Sequence, residues 1–466
     1  MNEEIQEEKI PVVIMAGGLG KRARSINDSV PKPLLPIAGK PILEWEIDCL
    51  VRQGYYNIIL TVSYMAEKII EYFGDGSKFG CKIQYFEEPN PLGNAGALFK
   101  MWSANIINGD FLLLNADSVF DIEFDRLVEK HISSGAVATL LTHPNNHPQD
   151  SGVIVTDSAG WVEQWLTKED IRPLYYKNCI NAGIHVLNTK ILEMACETCV
   201  DISRIGTIDS DTNKIVKVDL DRQVLKPLAG KRCVYAVSSP EYVKDMGTPE
   251  RFNQVEDDLK RGLVLSRNLS HKQKAIFLDR DGTINKYVGF LRDINEFELL
   301  PGVADAISEI NKMGYLCIVV TNQPVIARGE VTVEELDMIH KKMETLLGVQ
   351  GAYIDAVYYC PHHPDKGFEG EIHALKIVCE CRKPKPGMLI NAAKDFNIDL
   401  SKSWMIGDGE NDIKAGLSAG CRTIRLKNDM LTAPGLTDEL EEFVAKDLKS
   451  AVDYIKKNDE VEYAEN

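Results

Sequence analysis

A short apolar run, Ala275-Ile276-Phe277-Leu278, ends in two carboxylates one residue apart, Asp279 and Asp281, followed by Gly282. Four apolar residues closed by a turn signal read as a fully buried strand of a parallel sheet. Open α/β sheets bind their ligands at the carboxyl ends of such strands. The pattern therefore predicts both carboxylates at the mouth of a doubly wound domain. There one can attack an electrophile while its neighbour handles the proton.

Similar runs recur along the chain, separated by longer amphipathic stretches, and they fall into two α/β blocks. The first contains Pro11–Met15, Asn57–Val62, Lys82–Phe86, Phe111–Leu114, Ala136–Thr142 and Ala182–Leu187. The second contains Ala275–Leu278, Leu316–Val320, Ala356–Tyr359, Trp404–Ile406 and Thr423–Leu426. A chain of 466 residues has room for both. The expected organisation is a flexible acidic N-terminus (1–9), a first domain (10–262) ending in a charged helix, a polar linker (263–273), a second domain (274–457) and a disordered tail (458–466). Residues 437–457 are expected to form one or two short helices.

Composition narrows the function. A net charge of -17 argues against nucleic acid as a partner. No apolar stretch is long enough for a membrane span, and the acidic first residues are no signal peptide. Eleven cysteines in a chain of this size suit reduced thiols in the cytoplasm rather than a disulfide framework.

In the second block, four groups follow strands in order: Asp279 and Asp281; Thr321-Asn322; Arg382-Lys383; and Asp408, with Asp412 one helical turn on. A hydroxyl and an amide can hold phosphate oxygens, a lysine can neutralise charge, and carboxylates can hold Mg2+. Cys360-Pro361-His362 and Cys379-Glu380-Cys381 offer three thiolates and one imidazole, enough to close a zinc tetrahedron, with His363 and His373 as nearby decoys. This series resembles the haloacid dehalogenase superfamily, and residues 274–426 look more closely like its D-glycero-D-manno-heptose 1,7-bisphosphate phosphatases. The resemblance implies Asp279 as nucleophile and Asp281 as acid/base. Thr321, Asn322 and Lys383 would hold phosphate, with Arg328 and Arg382 on the rest of the substrate. Mg2+ would sit on Asp279, Asp281 and Asp408, and a structural Zn2+ on Cys360, His362, Cys379 and Cys381. Roughly 40 residues separate Asp281 from Thr321, leaving no room for a cap domain. Pro324 and Val325 stand where that family usually has Ser and Gly.

In the first block, Gly17-Gly18-Leu19-Gly20-Lys21-Arg22 follows the first strand. Glycines let backbone N–H groups approach phosphate oxygens, and Arg22 adds a charged fork. Pro31-Lys32-Pro33 then holds a lysine on a stiff loop, where it could stabilise charge at a reacting phosphorus. Together with Gly93-Asn94, Asn115-Ala116-Asp117, Asn181-Ala182-Gly183 and Asp245-Met246-Gly247, these residues resemble the sugar-1-phosphate nucleotidyltransferases, in the mannose and heptose 1-phosphate guanylyltransferase-like branch. By that resemblance Gly17, Gly18, Gly20, Lys21 and Arg22 hold an NTP, GTP for this branch. Lys32 assists at the α-phosphate, and Asp117 and Asp245 bind Mg2+. Gly93, Asn94, Asn181 and Gly183 line the substrate pocket, and Lys168 takes the sugar phosphate. Lys21, Ala23 and Asn94 depart from the usual Thr, Leu and Thr, and Thr167-Lys168-Glu169 from the usual Glu-Lys-Pro.

The expected fold class is thus α/β, a Rossmann-like (GT-A-like) nucleotidyltransferase joined to a capless haloacid dehalogenase-like domain. The expected function is a bifunctional enzyme acting on heptose 1,7-bisphosphate and then heptose 1-phosphate. The alternatives are a histidinol-phosphate-type phosphatase in the second half, or a nucleotide-sensing first half that regulates the second.

Overall fold

The computed structural model describes residues 9–18, 29–427 and 441–465. Gly20, Lys21 and Arg22 lie outside them, as does most of the acidic N-terminus. The chain divides into two compact units. The first comprises Met1–His143, Ile154–Leu166 and Asn181–Asn268; the second comprises Pro144–Val153, Thr167–Ile180 and Leu269–Asn466.

The first unit is built on a mixed nine-stranded sheet. Val12–Met15 lies in parallel between Asn57–Val62 and Asp110–Asn115, its neighbours on opposite sides. The chain thus leaves the first strand in one direction and returns on the other, which opens a crevice at the carboxyl ends of Met15 and Asn115. Ile180–Asn188 runs antiparallel to Asp110–Asn115. A separate two-stranded ladder pairs Ser118–Asp121 with Tyr242–Asp245, in a register that sets Asp245 opposite Ser118.

The second unit has six parallel strands in the order Ala356–Cys360, Leu316–Asn322, Ala275–Leu278, Trp404–Gly407, Arg422–Leu426, Phe443–Ala445. Ala275–Leu278 is central and buried on both faces, which explains its unbroken apolar run. One face packs Val303–Met313, Val333–Val349 and Leu448–Glu465; the other packs Gly387–Asp395 and Glu410–Ala419. Between Asp281 and Thr321 stand only the short turn Ile294–Glu296, the helix Val303–Met313 and the start of the next strand.

Three expectations are corrected. The stretch 263–273 is not a free linker: Leu263–Ser266 is helical, Arg267 and Asn268 are buried, and Asn268 donates to Asp121 at 2.6 Å. The tail expected to be disordered from Asn458 continues the helix Leu448–Glu465, held where Tyr315 donates to Asp459 at 2.9 Å. Phe443–Ala445 is an edge strand rather than helix, because it completes the sheet beside Arg422–Leu426. No helix among the described residues is long and apolar enough to cross a membrane.

Candidate active sites

In the second unit, the end of the central strand delivers Asp279 to a buried lysine. The Lys383 ammonium donates to Asp279 Oδ1 at 2.6 Å and to the Val320 carbonyl at 2.7 Å, and pairs with Asp412 Oδ1 at 2.6 Å. Only 3% of this lysine is exposed, so its charge is matched by protein and not by water. Burial raises the Asp279 carboxyl, Asp412 adds to the effect and Lys383 opposes it, leaving Asp279 at about 8. Burial works against the Lys383 ammonium, but Asp279 and Asp412 outweigh it and push its pKa up.

Asp279, Asp408 and Asp412 each bring a carboxylate oxygen within 4.8 Å of the others. Three hard oxygen donors converging at a strand mouth suit Mg2+. Sequence reasoning grouped Asp412 with Asp408 but did not name it among the metal ligands. It caps its helix, accepting from the Gly409 N–H at 3.0 Å, and its other oxygen faces Lys383. The signal for it was its spacing, one turn beyond Asp408.

Asp281 is held by three side chains. Arg280 donates to both its oxygens at 3.0 and 2.9 Å, Asn285 to Oδ1 at 3.0 Å and Gln323 to Oδ2 at 2.9 Å. Burial would raise its pKa, but Arg280 and these donors hold it below the ordinary carboxylate value. Thr321 is buried beside them and accepts from Gln323 at 2.9 Å. The Asn322 side chain clamps the Lys383 peptide, donating to its carbonyl and accepting from its N–H, both at 3.0 Å. Its amide therefore positions the lysine.

Arg328 lies between two aromatic rings, 4.0 Å from the Phe290 centroid and 4.4 Å from that of Phe368. Arg382 donates to the His362 carbonyl at 3.3 Å. Burial holds the Arg382 guanidinium below its ordinary range, and the charge of Arg328 adds to this. Two guanidiniums close enough to repel one another can receive an anion.

Cys360, His362, Cys379 and Cys381 converge within 4.8 Å. Cys360 and Cys379 Sγ are 3.5 Å apart, both are 3.3 Å from Cys381 Sγ, and His362 Nδ1 is 3.3 Å from Cys381 Sγ. Sulfurs around tetrahedral zinc stand about 3.8 Å apart, from bond lengths near 2.3 Å. The four donors fit that ion after a small expansion. The decoys stay out: His363 Nδ1 accepts from the Asp365 N–H at 3.2 Å, and the exposed His373 pairs with Glu371.

In the first unit, a cavity of about 560 Å3 opens at the crevice beside Met15 and Asn115. Its lining includes Gly17, Gly18, Lys32, Gly93, Asn94, Asp117 and Asp245. Lys32 donates to Asp117 Oδ2 at 2.8 Å, and Arg251 donates to both oxygens of Asp245 at 2.9 and 2.7 Å. Burial works to raise Asp245, but Arg251, the Gly247 N–H and Lys32 hold it low. Two anionic carboxylates facing one cavity supply the oxygen donors that Mg2+ takes. Gly93 has φ +86°, and a Cβ there would stand 2.3 Å from the Val218 carbonyl oxygen, so only glycine fits. Asn94 accepts from the Leu220 N–H at 2.7 Å.

Asn181 and Gly183 lie on the neighbouring antiparallel strand. Asn181 accepts from the Gly183 N–H at 3.1 Å, and Asn115 donates to the Gly183 carbonyl at 3.4 Å. Lys168 is not among the residues that line this cavity. It follows Thr167, in a segment that belongs to the second unit, and Asp170 folds that turn by accepting from both the Thr167 N–H and hydroxyl at 2.7 Å. Sequence reasoning also missed Glu88. It is 6% exposed and lines the cavity. Its Oε2 accepts from the Leu92 N–H at 2.8 Å, and its Oε1 lies 2.8 Å from where a Cβ on Gly17 would stand. Burial raises its pKa, opposed by that N–H and by Lys217.

The nucleotidyl transferase family model matches residues 11–261, and the haloacid dehalogenase-like hydrolase model matches residues 152–420. The chain belongs to both families. It is a bifunctional fusion of a nucleotidyltransferase and a phosphatase. The D-glycero-beta-D-manno-heptose-1,7-bisphosphate 7-phosphatase of Salmonella typhi is 46% identical over 149 residues, which are 32% of this chain and 77% of that one. Its counterpart in Haemophilus influenzae is 42% identical over 182 residues, 39% of this chain and 94% of that one. Among solved structures, HddC from Yersinia pseudotuberculosis aligns with 54% of this chain and 100% of its own, at 24% identity and a TM-score of 0.44.

Proposed function

We propose that the chain makes a nucleotide-activated heptose in two steps. The second unit removes the 7-phosphate of D-glycero-D-manno-heptose 1,7-bisphosphate, and the first transfers GMP from GTP to the heptose 1-phosphate that remains. The observation that carries the phosphatase step is the buried Lys383 bridge between Asp279 and Asp412 at the mouth of the parallel sheet. The likeness to heptose bisphosphate 7-phosphatases supports the substrate.

Asp279 Oδ2 attacks the 7-phosphorus in line and the bond to O7 breaks, while Asp281, ionised at rest, relays to that oxygen the proton that the substrate's phosphate monoanion brings in. Asp281 then takes a proton from water as water attacks the aspartyl-phosphate, and inorganic phosphate leaves. Lys383 neutralises charge on Asp279 and the phosphoryl group, and Arg328 and Arg382 orient the remaining anion. Mg2+ on Asp279, Asp408, Asp412 and the Asp281 carbonyl would supply charge neutralisation at the phosphoryl oxygens.

In the first unit the sugar 1-phosphate oxygen attacks the α-phosphorus of the nucleotide and pyrophosphate departs. Lys32 steadies charge at that phosphorus, and Asp117 and Asp245 would hold Mg2+. Glu88 supports GTP over the other nucleotides. A carboxylate inside the cavity accepts from adjacent N–H groups, and guanine alone among the bases offers N1–H beside its 2-amino group.

The phosphatase step comes first. The described lining of the transferase cavity contains one cation, Lys32, against Glu88, Asp117 and Asp245. A second sugar phosphate would add about two negative charges there. Incubation with the bisphosphate, each NTP and Mg2+, followed by mass spectrometry, tests the whole reading. GDP-heptose should form from GTP. Asp279→Asn protein should make little of it from bisphosphate and the normal amount from supplied heptose 1-phosphate. GDP-heptose 7-phosphate at the wild-type rate would refute the order.

A further inference from the structure

The helix Val333–Val349 carries a histidine, His340, that none of the chemistry above uses. It is 7% exposed, and its Nε2 lies 3.2 Å from Arg280 Nη1. Arg280 is wholly buried. Its other groups face Asp281: Nη2 donates to both carboxylate oxygens at 3.0 and 2.9 Å, and Nε to Oδ1 at 3.3 Å. Neighbours along an extended chain point to opposite faces. Here the turn after the strand brings the two side chains together, because the N–H groups of Ile284 and Asn285 fold back onto the Arg280 carbonyl at 2.8 and 3.1 Å.

We propose that His340 is a positioning residue for the phosphatase reaction: it accepts from Arg280 and so fixes the guanidinium on which the Asp281 carboxylate rests. The inference relies on Asp281 being the acid/base, as above. A guanidinium has only donors, so the facing ring nitrogen must be the acceptor and the imidazole neutral. Burial, with the charge of Arg280, pushes the His340 pKa down to about 3, consistent with that state. The ring is steadied against Tyr359, at 5.9 Å between centroids. Asn285 and Gln323 also hold Asp281, but both are neutral. Among the described residues Arg280 is the one ion-pair partner of Asp281. Without the acceptor on His340, one edge of the guanidinium loses its anchor and the carboxylate is aimed less well. Proton transfer needs hydrogen-bond reach, and small misplacements there are costly in rate.

The test separates aim from fold by using two leaving groups in single-turnover reactions with enzyme in excess. These read the first phosphoryl transfer alone. A sugar alkoxide leaves only if it is protonated, whereas the nitrophenolate of p-nitrophenyl phosphate needs no proton. His340→Leu should slow transfer from the sugar bisphosphate by at least about tenfold and leave the aryl phosphate within about twofold, a fraction of the roughly 10²–10⁴ that general acid catalysis supplies. His340→Gln, whose amide oxygen can accept from Arg280, should restore the sugar reaction. If His340→Leu does not fold, His340→Asn, one methylene shorter than Gln, replaces it with the same loss expected. Equal slowing of both substrates, or of neither, overturns the proposal. Asp281→Asn in the same assay checks the premise. If it leaves the sugar reaction untouched, the acid/base reading itself falls, and the role of His340 with it.

Discussion

Replacing Lys383 by methionine keeps the length of the side chain and removes its charge. In the native protein that charge is shared between Asp279 and Asp412, each 2.6 Å away, and the Val320 carbonyl at 2.7 Å. Removing one member of a buried ion pair costs about 3–5 kcal/mol, because the partner is left charged and dry. Here two carboxylates are left, so the full cost applies only while both stay ionised. Asp279 titrates at about 8 even with Lys383 present, against 3.8 ordinarily. A carboxyl whose folded pKa is raised contributes stability that is complete below its unfolded pKa and is lost as pH climbs through the folded one. Metal-free wild-type protein should therefore weaken between about pH 4 and 8 at this site. Taking away Lys383 removes the group that restrains the shift, so the deficit of the variant should grow with pH. Thermal melts in EDTA should place Lys383→Met about 6–20 °C below wild type at pH 8.5, using about 2–4 °C per kcal/mol for a domain of this size. At pH 6 the gap should narrow, since one carboxyl can take up a proton. Phosphate release should fall at least about a hundredfold, with nucleotidyl transfer intact. A variant that melts with wild type at both pH values, or that loses more at pH 6, refutes the reasoning.

Metal analysis of purified protein should find about one zinc per chain, and Cys379→Ser should lose it and slow bisphosphate turnover; zinc-free protein with full activity would count against the site. Lys32→Ala should lower nucleotidyl transfer by about 10²–10³-fold and spare phosphate release, read in parallel assays on one preparation. Glu88→Gln should erode the preference for GTP over ATP by at least about tenfold, since a neutral amide can no longer accept both guanine N–H groups; an unchanged ratio of kcat/KM would remove Glu88 from base recognition.

The central strands of both units were legible because burial on two faces leaves unbroken apolar runs such as Ile58–Leu60 and Ala275–Leu278. The residues at their carboxyl ends followed from the strand pattern, and the roles expected of them from the two family resemblances. What the sequence hid depends on distant partners. Ser118–Asp121 and Tyr242–Asp245 are four residues each and become strands only by pairing across more than a hundred positions. Glu88 and His340 sit among apolar and polar neighbours that carry no local pattern, and their roles appear only when Gly17 and Arg280 are brought beside them. Lys168 was assigned by its place in a motif. Thr167 and Asp170 fold the turn that carries it, and the motif residues around it are replaced in this chain.

One stretch of chain joins the cysteine cluster to Lys383, and its geometry links the two. Cys379 and Cys381 donate sulfurs to the cluster, and Arg382 and Lys383 follow at once. The loop then doubles back so tightly that the Gly387 N–H reaches the Glu380 carbonyl at 3.0 Å, and a Cβ on Gly387 would stand 2.3 Å from that oxygen. At its far side, Asn322 grips the Lys383 peptide from both ends. A lysine ammonium is a mobile point charge on a flexible stem. Here its backbone is fixed by an amide from one strand, its loop is closed on the cysteine cluster, and its tip is held by a carbonyl of that same strand and by two carboxylates, one from another strand end and one from a helix. A metal across the four cluster ligands would lock the one remaining freedom, the approach of residues 379–382 to the strand ending at Cys360. On this view zinc acts on catalysis through the aim of Arg382 and Lys383, so its removal should raise KM and lower kcat together while leaving the Asp279 carboxylate in place.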